Sequence, residues 1–214
     1  MEYRWLDLKK KPIWIHCKGY LVRDDNMKPL YMIGCVNEIG KRQKADNVSG
    51  LLGESGFREY MNQLDTPLET GYLLRIGIDH FKEINDNFGQ EYGDFVLKKT
   101  AECISGCTSE GQKVYKLVAD EFLILDVASD EAKDADKLYD KVREAIDRFI
   151  ETNEFKVMYT VSGGIVPFAA LKGNQCSEAL KLTDFALNEA KKLGRNRCYI
   201  FNGETYRKFL RKRE

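Results

Sequence analysis

A set of polar side chains follows the most apolar segment of the chain. Tyr72–Ile78 is a nearly continuous apolar run, and behind it stand Asp79, Lys82, Asn85 and Asp94. A buried strand that leads into a lysine-bearing turn and helix is a common place for phosphate groups to bind. The Asn85 amide can donate to and accept from a base edge, and the Asp94 carboxylate can accept two hydrogen bonds. A cluster of capping and turn residues would use the same residue types, so both interpretations stay open.

Two further carboxylates lie where a pair of strand-like segments meets. The predicted strands Lys113–Val118 and Phe122–Val127 flank Ala119, Asp120 and Glu121. This pattern indicates a hairpin with acidic residues at its tip. Such a tip is either an ordinary solvated turn or a point of contact with a nucleotide.

Helices and strands alternate from residue 55 onward. Apolar periodicity and terminal signals predict six helices, of which the first has Ser55 as its N-cap. They cover Ser55–Leu64, Phe81–Asn87, Gly93–Ser105, Glu131–Asn153, Ser177–Leu193 and Glu204–Glu214. Tyr72–Ile78 is predicted to be a central strand buried on both faces, with further strands at Lys156–Val166 and Arg197–Phe201. The order predicts an α/β (α+β) sandwich, a polymerase-palm-like, mostly antiparallel sheet flanked by helices.

A short β meander precedes this domain. Strands are predicted at Glu2–Leu8, Ile13–Arg23 and Leu30–Glu38, and turn-forming residues separate the second from the third. Three strands without a covering layer make a poor independent domain, so we expect them to be the end of a larger one. The predicted organisation is therefore a partial domain at 1–40, a linker at 41–54, the main domain at 55–202 and a C-terminal helical segment at 203–214.

Composition limits the classes of function. Lys+Arg and Asp+Glu both total 34 and the pI is about 6.8, so the chain has no general attraction for nucleic acid or anionic lipid. Six cysteines without a C-x-x-C pair and two histidines disfavour a zinc cluster, and Cys103 and Cys107 are expected to be small core residues rather than metal ligands. No signal peptide or membrane-length apolar run is found, which predicts a cytoplasmic location.

Five motifs in order give the main segment a specific resemblance. Asp46–Leu51 resembles an opening D-x-L-T-G-L motif, and Ile78–Asp94 resembles a D-x-F-K-x-x-N-D block that ends in G-D. Val118–Phe122, Tyr159–Ile165 and Ala190–Arg197 are similar to the name-giving hairpin, a V-T-V-S-I-G-V strand and a closing A-K-x-x-G-R-N-R. Across 46–201 the chain therefore resembles the GGDEF domains of diguanylate cyclases.

The resemblance implies a nucleotidyl-cyclase fold and a reaction that joins two GTP molecules, one held by each domain of a homodimer. It implies that Asn85 and Asp94 bind guanine and that Lys82, Lys191 and Arg195 lie near phosphates. It also implies divalent ions, Mg²⁺ above all, which bridge the phosphates and offset the charge that develops there. Asp120 and Glu121 are the catalytic and metal-binding candidates, at the third and fourth signature positions.

The sequence departs from the family at the metal. The family has a carboxylate two residues before Asp79, where this chain has Gly77. Mg²⁺ prefers six hard oxygen ligands at ~2.1 Å, and a glycine offers only its backbone carbonyl. Asp120 can still bind one ion, whereas replacement by Asp79 would require the strand to slip or twist. We therefore expect Mg²⁺ binding to be weak or absent.

The hairpin tip and the product site also differ. The first two signature residues are Val118 and Ala119 instead of glycines, and both carry a Cβ where positive φ and close approach are needed. The positions of the family's inhibitory R-x-x-D motif are Ser109 and Gln112, so no inhibitory product site is expected.

Both ends of the chain suggest neighbouring domains. The meander resembles the last strands of a PAS sensor domain, and the basic terminal segment Tyr206–Glu214 resembles the helical joint before an EAL phosphodiesterase domain. The main hypothesis is a GTP-binding or regulatory domain of cyclic di-GMP signalling with lost or very low cyclase activity. The alternatives are an active diguanylate cyclase and a dimerisation scaffold that binds no nucleotide.

Overall fold

The chain divides into two units, Met1–Ala45 and Asp46–Glu214, in a computed structural model. The residues described are 2–6, 12–24, 26–39, 45–64, 70–127, 129, 132–152, 155, 157–171, 173 and 176–212. Among these residues one sheet has three strands and the other has six. None of the described helices combines the length and apolar character that crossing a lipid bilayer requires.

The first unit is an antiparallel meander. Strands β1 (Glu2–Leu6), β2 (Pro12–Arg23) and β3 (Pro29–Ile39) are arranged in the order β1-β2-β3. In the turn after β2 the Asp24 Oδ1 accepts hydrogen bonds of 2.9 Å from the backbone N–H groups of Asn26 and Lys28. The three predicted strands are thus confirmed within two residues, apart from residues 7 and 8, which lie outside the described residues. Assignment of the meander to a PAS domain stays a prediction.

Six strands and six helices make up the described part of the second unit. The strands are β4 (Leu52–Gly53), β5 (Tyr72–Ile78), β6 (Gln112–Lys116), β7 (Glu121–Asp126), β8 (Val161–Pro167) and β9 (Cys198–Ile200). The helices are α1 (Glu54–Asn62), α2 (Phe81–Phe88), α3 (Gln90–Cys107), α4 (Ala132–Thr152), α5 (Cys176–Lys192) and α6 (Gly203–Arg211). The sheet order is β4-β6-β7-β5-β8-β9, and β5 pairs antiparallel with both β7 and β8. The predicted sandwich with a mostly antiparallel sheet is confirmed.

Strand β5 is the centre of the unit, as its apolar sequence predicts. All seven of its residues are buried, because helices cover both faces of the sheet. Leu74 and Ile76 belong to a core shared with α2, α3 and α4, and Cys103 and Cys107 pack at the edge of this core. Leu73, on the alternate face, belongs to a core shared with α1 and α5. Side chains alternate along a strand, so residues 75 and 77 share the α5 face with Leu73.

Many element boundaries differ from the predictions by one or two residues, and three of the changes have a clear physical reason. Helix α1 begins at Glu54 with Gly53 as its N-cap, so the prediction of Ser55 as the cap is wrong. The short strand β4 was not predicted; it pairs with β6 and ends where α1 begins. Helix α3 begins at Gln90 because Gly89, at φ 85°, separates it from α2. Strand β8 begins at Val161, not Lys156, because Val161 pairs with the last residue of β5.

Helix α5 lies unusually close to β8 at Gly164. A Cβ built on Gly164 would lie 2.3 Å from the Leu187 backbone nitrogen and 2.7 Å from the Ala186 carbonyl carbon. At Gly163 the nearest atoms are instead side-chain atoms of Cys198 and Tyr139, both at 2.8 Å. The missing side chain of Gly164 therefore sets how closely α5, and Lys191 at its end, approaches the sheet.

We expect Gly164→Ala to lower the free energy of unfolding by about 3 kcal/mol, since overpacking against a helix backbone cannot be relieved by a rotamer change. Gly163→Ala is the matched control and should cost less, because side chains can move aside. Urea denaturation followed by circular dichroism measures both. Equal losses for the two variants would contradict the proposed role of the close approach.

Candidate functional site

The candidate site lies at the end of β5, beside the tip of the β6–β7 hairpin. Glu121 pairs with Gly77 in the sheet, and the Ile78 N–H donates a 3.3 Å hydrogen bond to the Asp120 carbonyl. The fold thus brings the two acidic signature residues directly next to the strand position where the family has its carboxylate. The sequence predicts which residues form this group, and the register of β5 and β7 brings them into contact.

Asp79 has a structural role that the sequence analysis did not identify. Its carboxylate is 2% exposed and accepts 2.7 Å hydrogen bonds from Thr160 Oγ1 and Ser162 Oγ. The Asn196 backbone N–H donates a third bond of 3.1 Å. These bonds join the end of β5 to β8 and to the loop after α5. Because these bonds hold the buried carboxylate against β8 and the loop after α5, Asp79 does not replace the carboxylate missing at Gly77.

Arg75 is a second functional residue that sequence reasoning missed. It is 7% exposed on the α5 face of β5, two residues before Gly77. Its Nε donates a 2.7 Å hydrogen bond to Glu121 Oε2, and a guanidinium NH₂ donates to the same oxygen. The group also donates to the Leu180 carbonyl at 3.1 Å and lies 3.5 Å from Asp184 Oδ1. A charged residue inside an apolar strand was the available signal.

Lys191 reaches the space beside Gly77 from the last turn of α5. Its Nζ lies 3.1 Å, and its Cε 3.4 Å, from the position that a Cβ on Gly77 would occupy. The ammonium also acts on Asp120: burial raises the pKa of the Asp120 carboxyl, the Lys191 charge opposes the rise and the Glu121 charge adds to it. The predicted phosphate ligand Lys191 therefore lies at the metal side of the site.

The hairpin tip keeps the backbone shape of a glycine turn. Ala119 has φ 52°, in the left-handed region of backbone conformation. Val118 does not adopt that conformation, and it is 69% exposed to solvent. The buried Lys116 ammonium donates to the Leu117 carbonyl at 3.1 Å and to the Ala119 carbonyl. Burial lowers the pKa of Lys116, while Asp46, Asp120 and Glu121 oppose this effect. Ala119 therefore adopts a positive φ despite its Cβ, whereas the β-branched Val118, which was expected to disfavour this conformation, does not adopt it.

The base-binding candidates lie on α2 and α3. Asn85 Oδ1 is buried and has no hydrogen-bond partner within the described part of the chain, and a Cβ on Gly93 would lie 1.8 Å from it. Asp94, the residue after this glycine, is exposed, as is Lys82 in the first turn of α2. Gly93 is therefore the contact that lets the helix carrying Asp94 approach the Asn85 amide.

Arg195 lies in the loop after α5, beyond the predicted C′ residue Gly194. Gly194 has φ 117°, and Arg195 and Asn196 have φ 60° and 46°. The Arg195 N–H donates a 3.2 Å hydrogen bond to the Ala190 carbonyl. This conformation leaves the Arg195 side chain exposed and directs the Asn196 N–H to Asp79.

The acidic side chains present do not fit a magnesium centre. Among the described residues no three His, Cys, Asp or Glu side chains are grouped so that they could hold a metal ion. Gly77 contributes no carboxylate, and Glu121 is bound to Arg75. Asp120 is the remaining carboxylate at the tip, and one carboxylate is a weak anchor for an ion that retains its water reluctantly.

The sheet order, with a central antiparallel pair between crossing helices, is that of the nucleotidyl-cyclase fold. The family described as "Diguanylate cyclase, GGDEF domain" matches residues 44–197. This chain belongs to that family. The resemblance based on the five motifs is thereby confirmed, and members of the family generally use Mg²⁺.

Relatives include proteins that make and proteins that degrade cyclic di-GMP. The cyclic di-GMP phosphodiesterase NbdA of Pseudomonas aeruginosa is 30% identical over 73% of this chain and 20% of its own length. The diguanylate cyclase VdcA of Vibrio cholerae is 26% identical over 85% of this chain and 55% of its own length. This chain therefore spans only part of the curated relatives that it matches.

A solved structure shows the same fold. The GGDEF domain of TpbB, also called YfiN, from Pseudomonas aeruginosa has a TM-score of 0.67 and 24% identity to this chain. The match covers 78% of this chain and 99% of the solved domain. The second unit is therefore equivalent in extent to a whole GGDEF domain.

We expect Ala119→Gly to raise the free energy of unfolding by about 1 kcal/mol, because a residue with a Cβ is strained in the left-handed region. The greater freedom of glycine in the unfolded chain offsets only part of this gain. Val118→Gly adds the same freedom without relieving strain, and should be destabilising. Urea denaturation measures both; a loss of stability in Ala119→Gly would contradict the strained turn.

We expect Asp120→Asn to raise Tm at about pH 7, with a gain that shrinks toward about pH 4. The pKa of Asp120 is raised above its ordinary 3.8 in the folded protein, so its charged form opposes folding. This cost is fully present above the folded pKa and disappears as the pH falls through it. Asp86→Asn removes an exposed charge and serves as the control in thermal melts. A Tm below that of the wild type at neutral pH would contradict the prediction.

Proposed function

We propose that this chain is a guanine-nucleotide-binding regulatory domain of cyclic di-GMP signalling whose cyclase activity is lost or very low. The observation that carries the proposal is the contrast between the two halves of the site. The base side retains Asn85 and Asp94 with an unpartnered buried amide oxygen, whereas the metal side has Gly77 and an ion-paired Glu121. Binding and catalysis use different halves, so one can persist without the other.

The base side supports nucleotide binding through a polar atom that has no hydrogen-bond partner among the residues that the structure describes. A buried amide oxygen without a hydrogen bond is costly, and native proteins seldom retain one without a reason. A guanine N–H group placed between α2 and α3 would supply the missing donor to Asn85. Asp94 would accept from the same base edge, while Lys82 and Arg195 offer exposed cations to the phosphates.

The metal side argues against efficient catalysis. Joining two nucleoside triphosphates requires cations that neutralise the phosphates as charge develops on them. A site with one available carboxylate, Asp120, should hold such ions weakly. Gly77 therefore favours the regulatory function over the active cyclase.

Domain context supplies the proposed partners. Family members bind GTP and often form dimers, and we propose a homodimer here as well. NbdA, in which the matched region is 20% of the length, is named for phosphodiesterase activity. We propose that GTP binding in this domain controls an attached or associated EAL-type phosphodiesterase, with α6 and the residues that follow it as the connection. The proposed location is the cytoplasm.

We expect isothermal titration calorimetry to detect GTP binding, while chromatography of the same mixture detects no cyclic di-GMP. Asp94→Ala should weaken GTP binding about 10- to 100-fold, the value of hydrogen bonds to a charged group. Glu91→Ala removes an equal charge from the same helix and should leave the affinity unchanged. Both positions are exposed, so the fold is not at risk.

Two outcomes would contradict the proposed function in different ways. Turnover of GTP that is abolished by Asp120→Asn would identify an active cyclase. Absence of binding heat with GTP would leave the scaffold as the function. Equal effects of Asp94→Ala and Glu91→Ala would place the nucleotide elsewhere on the domain.

A further inference from the structure

The ion pair of Arg75 and Glu121 removes one possible metal ligand and also places a cation inside the site. Arg75 lies in a strand whose seven residues are all buried, where an unpaired charge is very costly. The guanidinium donates three hydrogen bonds, two to Glu121 and one to the Leu180 carbonyl, and forms a longer ion pair with Asp184. Glu121 is the buried member of its two carboxylate partners, with 17% side-chain exposure against 53% for Asp184. Arg75 therefore holds Glu121 in place.

Lys191 is a second cation beside Gly77. Its ammonium lies 3.1 Å from the position where a side chain on Gly77 would begin, and its charge acts on Asp120. In a chain with a carboxylate at position 77, that carboxylate would attract both a metal ion and the Lys191 ammonium. Here position 77 has no carboxylate, and the Lys191 ammonium lies in the space beside it.

We infer that Arg75 and Lys191 are internal cations that replace the divalent ions of this site, so that the nucleotide binds without a metal. Three cations, Arg75, Lys191 and the buried Lys116, lie around Asp120 and Glu121, and Asp184 adds a further carboxylate beside Arg75. Because cations already lie beside both signature carboxylates, the pair attracts Mg²⁺ little, and each cation repels an approaching ion at short range. The nucleotide part of this inference rests on the proposed function; the exclusion of metal does not.

The chemistry of the ligand follows from this charge arrangement. A metal-dependent site prefers the magnesium complex of a nucleoside triphosphate, because the ion bridges carboxylates and phosphates. Here the phosphates would contact the side-chain cations Lys191, Lys82 and Arg195 directly, while Arg75 stays bound to Glu121. The free nucleotide should therefore bind at least as well as its magnesium complex. The inferred ligand is thus a guanine nucleotide in its metal-free form.

The first test uses Mn²⁺ alone, without nucleotide, and measures free Mn²⁺ by electron paramagnetic resonance. The wild-type chain should show no Mn²⁺ site at this position. Arg75→Leu combined with Gly77→Asp should raise Mn²⁺ affinity at least tenfold, because it releases Glu121 and restores a carboxylate. Gly77→Asp by itself should gain less, since Glu121 stays paired.

Controls separate the role of Arg75 from a general change of charge. Arg58→Leu removes an exposed guanidinium that pairs with Glu54 at 2.6 Å, and combined with Gly77→Asp it should bind Mn²⁺ no better than Gly77→Asp does. If Arg75→Leu fails to fold by circular dichroism, Lys191→Ala with Gly77→Asp tests the second cation, because it removes the ammonium beside the restored carboxylate. A wild-type Mn²⁺ site that Asp120→Asn abolishes would overturn the inference, as would double variants that bind no better than Gly77→Asp.

The second test compares GTP affinity in Mg²⁺ and in EDTA. A ratio within twofold is expected, whereas a tenfold or larger loss in EDTA would overturn the metal-free site. If GTP does not bind at all, the proposed function fails, and the Mn²⁺ experiment still decides whether the internal cations exclude metal.

Discussion

A guanidinium buried in the central strand constrains the rest of this site. Arg75 occupies a position that is covered by helix α5 and flanked by two paired strands, so water cannot solvate it. A charge in that place requires a fixed counter-charge, and the carboxylate of Glu121 provides it across the β5–β7 ladder. Glu121, at an acidic position of the family signature, thereby takes part in a structural ion pair.

Two further contacts make the geometry around this ion pair rigid. The Asp79 carboxylate joins β5 to β8 and to the loop that carries Arg195. Gly164 allows α5 to lie against the strand backbone, which brings Lys191 to Gly77. Because strand, hairpin and helix are each anchored within a few residues of the site, loss of the metal carboxylate leaves a local change of charge and not a collapsed pocket.

This chain has the fold of its family but differs from it in the residues next to the metal position. The fold depends on buried apolar residues and on contacts such as those of Asp79 and Gly164, all of which this chain keeps. Metal-dependent catalysis depends on very few carboxylates, and in this chain Gly77 lacks one while Arg75 binds another. A sequence can therefore remain a clear member of the family while the charges around its site differ.

The sequence by itself determined the order of the elements apart from the short strand β4, the buried central strand and the candidate residues, because apolar periodicity and short motifs are local. It also identified Gly77 as the missing carboxylate. It did not reveal that Glu121 is bound to Arg75, which is 46 positions away. Nor did it reveal that Lys191 fills the space at Gly77, or that Asp79 is fully hydrogen-bonded. Those facts depend on strand register and on the packing of α5, which only the tertiary structure decides, since ion pairs and hydrogen bonds form between residues that the fold brings together.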